Sequence, residues 1–174
     1  MYALKIQMKS LGYCLRDLIF YLLPNDWFSN RHLRPFLVRL FGMHCGPHLT
    51  LHKGVFVGRL SNIKVGREVY INSHFFFNTT DKITIGDDVA IGFDVSLVTG
   101  THEMGPAEHR CGARHGEPVT IENGVWIGSS VFIGPGVTIG AGSMVSAGSI
   151  VMRSMPPNSL IAGNPARVIK KLEG

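Results

Sequence analysis

An aliphatic residue recurs at every sixth position between Ile121 and Val151, and glycine directly follows three of these residues. The aliphatic positions are Ile121, Ile127, Ile133, Ile139, Val145 and Val151, and the glycines are Gly128, Gly134 and Gly140. A helix face repeats every 3.6 residues and a strand face every second residue, so neither element alone explains this interval. Six residues accommodate a very short strand and a corner, where glycine permits a turn that a side chain would hinder. The period predicts an all-β fold, a parallel β-helix of hexapeptide repeats around an apolar core.

The same pattern extends upstream to about Cys45, with larger intervals at regular places. The predicted inward positions there are Leu51, Val57, Val65, Ile71, Phe77, Ile85, Ile91 and Leu97. Two intervals, Val57 to Val65 and Phe77 to Ile85, are eight residues long and lie 20 residues apart. We therefore expect three faces in each turn and one enlarged corner. The third enlarged corner should follow Leu97, where the polar loop 99–118 interrupts the pattern, and a loop of that length on a regular scaffold is usually functional.

The beginning of the chain predicts a helical cap, so the chain divides into a helical region 1–42 and a β-helix domain 43–174. One helix is predicted over residues 2–23, and its apolar stripe should be buried against the open end of the coil or the second helix. The stripe consists of Leu4, Met8, Leu11, Leu15, Leu18 and Leu22. The second helix is predicted from Arg31 to Phe41, with Ser29 or Asn30 as its cap and Pro35 in its first turn. Its apolar side is expected to hold Leu33, Phe36, Leu37, Leu40 and Phe41, opposite Arg31, Arg34 and Arg39.

The charge balance favours an anionic partner. The sequence has 17 Lys and Arg against 12 Asp and Glu, a net charge of +5, which suits nucleic acid, an anionic membrane or a polyphosphate ligand. The basic residues lie mainly at the termini without an aromatic stacking platform between them, so we expect no nucleic acid. Peripheral membrane contact through the N-terminal helices is a second hypothesis for the cap. It would use Lys5, Lys9, Arg16, Arg31, Arg34 and Arg39.

Cysteine usage and hydropathy predict a cytoplasmic protein. Cys14, Cys45 and Cys111 show neither metal spacing nor a disulfide framework, which favours a reducing compartment. No apolar run reaches the length of a membrane span, and no small-residue cleavage site follows Leu22 as it would in a signal peptide. Peripheral association at the inner face of the cytoplasmic membrane is compatible with this expectation.

Family resemblance rests on four segments: SNIKVG (61–66), TIGDDVAIGFDVSLVTGTH (84–102), PVTIENGVWIGSSVFIGPGVTIGAGS (118–143) and PPNSLIAGNPARVIKKL (156–172). On these segments, residues 45–172 resemble the hexapeptide-repeat acyltransferases, and among them the maltose, galactoside and nodulation-factor O-acetyltransferases. Residues 1–42 are similar to those of acetyltransferases of exopolysaccharide and colanic-acid synthesis. The resemblance implies a left-handed coil, a homotrimer with active sites between subunits, and acetyl-CoA as the acyl donor.

His102 is the candidate catalytic residue, because it stands at the third enlarged corner and matches the family's catalytic histidine. Acyl transfer to a hydroxyl needs a base, since an alcohol is a poor nucleophile at neutral pH, and imidazole side chains titrate near that pH. For the acceptor, Asn72 matches the family's asparagine and His52 lies one turn from it. Asp81 lies in the second enlarged corner beneath Thr101, where it could orient His102 or bind a sugar hydroxyl.

The candidate donor site combines the coil and the basic end of the chain. Trp126 and Ser129 match positions that flank the family's thioester site, and a backbone N–H near Ser129 could stabilise a tetrahedral oxyanion. Arginine and lysine suit the phosphates of CoA. The basic end contains Arg153, Arg167, Lys170 and Lys171. The family commonly has threonine before a lysine at the Arg153 position, so this chain departs from the pattern there.

The predicted function is O-acetyl transfer from acetyl-CoA to a saccharide hydroxyl by direct attack, in surface or exopolysaccharide biosynthesis, with a polymeric or lipid-linked acceptor. The alternative is a small diffusible acceptor: a free sugar, an antibiotic alcohol or the amine of a nucleotide amino sugar. The same coil also serves γ-class carbonic anhydrases, which bind zinc through three histidines. That family's paired histidine spacing is missing near His102, so we expect no metal. A non-catalytic scaffold is a further alternative.

Overall fold

The computed structural model describes the backbone of residues 2–173 and the side chains of residues 12–173. Two helical segments precede a three-sided parallel β-helix of short strands, and one antiparallel hairpin projects from the coil. The predicted β-helix with a helical N-terminal region is therefore confirmed. The first strand begins at His44, and the division of the chain into two domains stays a prediction.

The helices are α1, Tyr2–Leu22, and α2, Arg34–Leu40, which continues a π-helical turn at Ser29–Leu33. The strands in chain order are β1 His44–Cys45, β2 Thr50–Leu51, β3 Gly54–Gly58, β4 Ile63–Val65, β5 Tyr70–Ile71, β6 Phe75–Thr79, β7 Ile83–Ile85, β8 Ala90–Ile91, β9 Ser96–Val98, β10 Gly100–Met104, β11 Cys111–Gly116, β12 Val119–Ile121, β13 Trp126–Ile127, β14 Phe132–Ile133, β15 Thr138–Ile139, β16 Met144–Val145, β17 Ile150–Val151, β18 Ser159–Gly163 and β19 Ala166–Lys171.

Three sheets form the sides of the coil. Sheet 1 has the order β1-β4-β7-β12-β15, sheet 2 the order β2-β5-β8-β13-β16-β18-β19, and sheet 3 the order β3-β6-β9-β14-β17. Because each turn visits the sheets in the same order, corners of one kind stack in a column. The 2–3 corner, between sheets 2 and 3, comprises residues 52–53, 72–74, 92–95, 128–131 and 146–149. The 3–1 corner, between sheets 3 and 1, comprises residues 59–62, 80–82, 99–118, 134–137 and 152–154.

The interior of the coil is a stack of aliphatic and aromatic side chains at the predicted six-residue positions. Every predicted inward residue from Leu51 to Val151 is buried, except Val57, which is 41% exposed. Burial of one such side chain contributes about 1.5–3 kcal/mol, so the repeated core accounts for the stability of strands that are only two or three residues long.

Phe56, rather than Val57, takes the inward position of the first turn. Strand β3 pairs with β6 so that Phe56 is opposite Phe77. These two residues are 21 positions apart, whereas Phe77 and its partner Leu97 in β9 are 20 apart. The Phe56 ring lies 4.9 Å from that of Phe75 and 6.0 Å from that of Phe77. Gly54 permits this register, because a Cβ there would lie 2.3 Å from the Phe75 ring. The prediction for Val57 is wrong because the preceding corner is one residue short, and the six-residue period does not register that deletion.

Helix α1 packs on the coil through Arg16 and Phe20 rather than through its leucine stripe. Buried Arg16 donates hydrogen bonds to the carbonyls of Phe56, at 2.9 Å, and Gly58, at 2.8 Å. The Phe20 ring lies 6.1 Å from that of Phe56. The described part of the stripe is exposed: Leu15, Leu18 and Leu22. Its predicted burial within the chain is therefore wrong there, because the carbonyls at the end of β3 favour the guanidinium on the inner face.

The remaining predicted residues of the first helix, Leu4, Met8, Leu11, Lys5 and Lys9, lie outside the described side chains. Among the helices of residues 2–173, none combines the length and the apolarity that crossing a membrane requires.

Asp26, rather than Ser29 or Asn30, caps the second helical segment. Its carboxylate accepts hydrogen bonds from the Ser29 N–H at 3.0 Å and the Ser29 hydroxyl at 2.8 Å. These hydrogen bonds lower the pKa of Asp26. The N–H of Arg34 donates to the Ser29 carbonyl in the π-helical turn, and Pro35 follows in the first turn of α2. The wide turn directly precedes the proline, which has no N–H to donate.

Arg34 is buried and links the two helices. Its guanidinium donates to the carbonyls of Leu23, at 2.9 Å, and Pro24, at 3.0 Å, just beyond the last turn of α1. It also donates to the side chain of Asn30. The prediction that Arg34 faces away from the apolar side is wrong, because carbonyls at a helix end lack intrahelical partners and accept its hydrogen bonds. Three residues of the predicted apolar side are instead exposed: Phe36, Leu40 and Phe41.

Candidate active site

The interrupting loop forms a two-stranded hairpin at the 3–1 corner. Strands β10 and β11 are antiparallel, with Gly100 opposite Gly116 and His102 opposite Arg114. The register shifts between His102 and Met104. The hairpin therefore projects from the coil at the place where the third enlarged corner was predicted, and it carries His102 into an exposed position.

The imidazole of His102 is oriented by the opposite strand of the hairpin. Its Nδ1 lies 2.9 Å from the carbonyl oxygen of Gly112. A carbonyl only accepts, so this hydrogen bond assigns the proton to Nδ1 and leaves Nε2 with a lone pair. Gly112 is required at this point because a Cβ there would lie 2.8 Å from the carbonyl oxygen of Glu103. Gly112 was not identified from the sequence. In the sequence it is only one glycine of a glycine-rich loop, and its role depends on the register shift of the hairpin.

Asp81 lies at the same corner as His102, at the base of the hairpin. Its N–H donates to the Thr99 hydroxyl at 2.8 Å, and its Oδ1 accepts from the Lys82 N–H at 2.7 Å. The imidazole Nδ1 is bonded to Gly112 instead. In this structure the Gly112 carbonyl, rather than Asp81, orients His102 at Nδ1, and the role of Asp81 stays a prediction. The alternative prediction, that the Asp81 carboxylate binds a sugar hydroxyl, is not affected by these hydrogen bonds.

Asn72 and His52 lie at the 2–3 corner, so sheet 3 separates them from His102 within one chain. They follow the paired residues Ile71 and Leu51 and are stacked one turn apart. The Asn72 side-chain oxygen accepts from the Ser73 N–H at 2.8 Å. Within a single chain, these two acceptor candidates therefore do not share a corner with His102. The 20-residue spacing in the sequence indicates on which turn a residue lies. It does not by itself show which corners of neighbouring turns form one site.

The half-buried imidazole of His52 belongs to a polar cluster beneath the helices. Its Nδ1 lies 3.2 Å from the amide nitrogen of Asn30 and 3.5 Å from the Ser73 hydroxyl. Burial lowers the pKa of His52, and the positive charge of Arg34 lowers it further. A neutral imidazole can accept the Asn30 hydrogen bond at Nδ1. Asn30 and Arg34 were not anticipated as supports of this residue.

Trp126 and Ser129 lie on sheet 2 and at the 2–3 corner, above Asn72. Trp126 is 54% exposed in β13. The N–H groups of Gly128 and Ser130 donate to carbonyls at 2.8 and 2.7 Å. Between them, and counting only residues 2–173, the Ser129 N–H has no backbone carbonyl as acceptor. The oxyanion-stabilising role of a backbone N–H near Ser129 stays a prediction.

The basic end of the chain is divided between two places. Arg167, Lys170 and Lys171 lie on β19, an antiparallel edge strand of sheet 2, and all three are exposed. Arg153 lies beyond β17 at the 3–1 corner. Arg153 therefore lies apart from the other three basic residues, because the chain passes from sheet 3 to sheet 2 between Arg153 and β18. Within residues 12–173, whose side chains the structure describes, no three His, Cys, Asp or Glu side chains are grouped as metal ligands would be.

Comparison with known proteins agrees with this architecture. Residues 118–153 match the family model for bacterial transferase hexapeptide (six repeats). The chain is 44% identical over 107 residues to nodulation protein L of Rhizobium meliloti, a match over 62% of this chain and 58% of that protein. It is 38% identical over 127 residues to galactoside O-acetyltransferase of Escherichia coli, a match over 73% of this chain and 63% of that protein. The chain thus spans less than two thirds of the length of either relative.

A solved galactoside acetyltransferase, in complex with coenzyme A, has the same fold over a greater length. It superposes with a TM-score of 0.83 and 33% identity, over 96% of this chain and 82% of that chain. Since the fold and the sequence identity extend over most of both chains, this protein belongs to the hexapeptide-repeat acetyltransferase family.

Proposed function

We propose that this protein transfers the acetyl group of acetyl-CoA to a hydroxyl of a saccharide, with His102 as the general base. The observation that carries the proposal is the 2.9 Å hydrogen bond between His102 Nδ1 and the Gly112 carbonyl. It leaves Nε2 with a lone pair on an exposed ring, as removal of a hydroxyl proton requires. Membership of the acetyltransferase family and the coenzyme A bound to the related galactoside acetyltransferase support the choice of donor.

Both substrates are bound together in the proposed step. Nε2 of His102 takes the proton of the acceptor hydroxyl while the hydroxyl oxygen attacks the thioester carbonyl carbon. The N–H of Ser129 donates to the oxyanion of the tetrahedral intermediate. Its collapse breaks the carbon–sulfur bond, and the proton held on Nε2 passes to the CoA thiolate. The products are an acetyl ester and free CoA.

The proposed donor site follows sheet 2 and its edge. Trp126 offers an exposed aromatic surface near the thioester, and the basic side chains of β19 suit the CoA phosphates. These are Arg167, Lys170 and Lys171. Arg153 is the weakest member of the set, since it lies at the 3–1 corner rather than on this strand.

We further propose a homotrimer in which His102 of one chain faces the 2–3 corner of its neighbour. Two features support this assembly. Within one chain, sheet 3 separates His102 at the 3–1 corner from Asn72 at the 2–3 corner. The outer face of sheet 3 also exposes apolar side chains that are suited to contact a neighbouring chain. The apolar side chains are Val55, Val57 and Phe76. Mixing inactive His102→Ala chains with inactive Asn72→Ala chains, after mild dissociation and reassembly, should restore part of the activity. An active monomer in light scattering would contradict the shared site.

The proposed acceptor is a glycan of more than one residue, on a polymer or a lipid carrier, in surface or exopolysaccharide biosynthesis. Asn72 and Asp81 are short polar side chains suited to sugar hydroxyls. Contacts with remote sugar residues can be used at the transition state, so kcat/KM should be higher for the glycan than for its free monosaccharide. Equal kcat/KM values would favour the small diffusible acceptor instead.

The helical region supports a proposed peripheral contact with anionic membranes. Its exposed side chains define an N-terminal apolar surface: Leu15, Leu18, Tyr21, Leu22, Trp27, Phe28, Phe36 and Leu40. Exposed Arg31 and Arg39 lie on the same helical segment, and the Arg31 guanidinium is 5.8 Å from the centre of the Trp27 ring. Aromatic and basic side chains together suit an anionic lipid surface. Arg16 and Arg34 are buried and take no part.

Vesicle co-sedimentation tests the membrane contact. The protein should sediment with vesicles containing phosphatidylserine at physiological salt, and the double variant Trp27→Ser, Phe28→Ser should lose most of this binding. Phe93→Ser is the matched control, because Phe93 is 49% exposed but lies on the coil. Equal loss in both variants, or equal binding to uncharged vesicles, would contradict the proposal.

Acetyl-CoA consumption with a panel of sugars and glycans tests the activity. His102→Ala should lower turnover about 100-fold or more, the usual scale for a general base, and leave CoA affinity largely intact. His109→Ala, an exposed histidine of the same loop, is the control. Mass spectrometry should find an ester that mild alkali removes. Near-normal turnover in a folded His102→Ala protein, or an alkali-stable amide product, would overturn the proposal.

A further inference from the structure

A cavity of about 430 Å³ opens beside the hairpin at the 3–1 corner. Its walls include Tyr13 of α1, Arg59 and Asn62 of the first enlarged corner, Thr80 of the second, and Arg114 of β11. The volume is within the range of small-molecule sites. The cavity therefore joins the helical region, the coil and the hairpin at the corner that carries His102.

Two guanidinium groups line this cavity without a protein counter-ion. Arg114 Nη2 donates to the Thr80 hydroxyl at 2.7 Å, and that hydroxyl donates to the Asn78 side chain at 2.8 Å. Among residues 12–173, neither Arg59 nor Arg114 forms an ion pair with a carboxylate. Two like charges that face one cavity repel each other, and an anion bound between them relieves that repulsion.

Arg114 connects the cavity to the proposed general base. It is the directly opposed residue of His102 in the antiparallel hairpin. Directly opposed residues place their side chains on the same face, with Cβ atoms about 5 Å apart. From this position the Arg114 side chain reaches down to Thr80 on the turn below. A saccharide that is bound by Arg114 through one group would therefore have another of its hydroxyls close to His102.

We propose that the cavity binds an anionic group, a carboxylate or a phosphate, carried by the acceptor saccharide. Arginine pairs with both groups through two parallel hydrogen bonds, and Asn62 and Thr80 supply polar atoms for sugar hydroxyls. Asp81, at the same corner, is not part of the cavity wall, and its Oδ1 accepts a hydrogen bond from the Lys82 N–H. The inference rests on the proposed acetyl transfer and narrows its acceptor to an acidic saccharide.

Binding to the full chain, without acetyl-CoA, tests the subsite independently of the reaction. Galacturonic acid and galactose 1-phosphate should each bind about 10-fold or more tighter than galactose by titration calorimetry, since an ion pair formed in a cavity is worth at least that factor. Binding should weaken as salt is added. Arg114→Gln and Arg59→Gln should each remove most of this preference, and Arg114→Lys should retain part of it.

The control is Arg110→Gln, on the same hairpin but directed to the Gly105 carbonyl at 3.3 Å. It should keep the preference for the acidic sugars. Equal affinity for galactose and the acidic sugars, or equal losses in Arg110→Gln and Arg114→Gln, would overturn the subsite. Inorganic phosphate that binds as tightly as galactose 1-phosphate would overturn its assignment to a saccharide. The two acidic sugars distinguish carboxylate from phosphate as the preferred group.

Transfer assays separate this inference from the proposed function. An acidic glycan should be acetylated with a higher kcat/KM than its neutral counterpart, and Arg114→Gln should lower that ratio about 10-fold, in line with the binding preference. Arg-dependent binding without any transfer from acetyl-CoA would refute the proposed function and leave the subsite standing. Transfer with no preference for acidic acceptors would refute the subsite alone.

Discussion

Replacement of Phe56 by alanine, compared with Val57→Ala, tests the register of the first turn. Phe56 is 5% exposed and its ring lies within 6.1 Å of the rings of Phe20, Phe75 and Phe77, measured between centroids. Removal of a buried phenylalanine ring costs about 3–5 kcal/mol, from lost burial and from the cavity left behind. Val57 is 41% exposed within one chain, where a substitution costs less than about 0.5 kcal/mol, and a contact with a neighbour in the proposed trimer would add to that cost.

These free energies predict separate melting temperatures. For a chain of this size, about 1 kcal/mol shifts Tm by about 2–4 °C. Phe56→Ala should therefore lower Tm by about 6–20 °C, and Val57→Ala by about 2 °C through its effect within one chain. Calorimetry at one fixed protein concentration measures both shifts, since assembly makes Tm depend on concentration. Phe56→Leu should lie between them because it keeps most of the volume. If Val57→Ala were the more destabilising change, the inward position assigned to Phe56 would be wrong.

Two further predictions concern the helical region and its contact with the coil. Arg34→Met should lower the free energy of unfolding by about 2–4 kcal/mol, because it removes two charged hydrogen bonds to carbonyls; urea denaturation measures this, and exposed Arg31→Met is the control that should change little. Folding lowers the pKa of His52, so its contribution to stability is full above the ordinary imidazole pKa of about 6.5 and is lost as pH falls through the lowered value. His52→Gln should therefore melt with a smaller loss of Tm between pH 7 and pH 5 than the original protein, and equal losses would disprove the link.

Sequence periodicity determined the fold and the location of the loop that interrupts it. From Ile121 to Val151 every turn has the same length, so each aliphatic residue repeats the same local environment and is buried as predicted. The interruption after Leu97 marked the hairpin because a polar segment cannot continue an apolar core. His102 was found in the same way, from its place at the interruption and its match to the family.

Only the tertiary structure decided which groups meet across the turns. The inward position of Phe56 depends on the ring of Phe75 one turn away, and the burial of Arg34 depends on carbonyls at the end of another helix. The Gly112 carbonyl reaches His102 because the hairpin shifts its register. A periodic pattern in the sequence predicts an environment that is repeated along the chain. Each of these contacts instead occurs once and joins two segments that are not repeats of each other. Their geometry therefore exists only when the chain is folded.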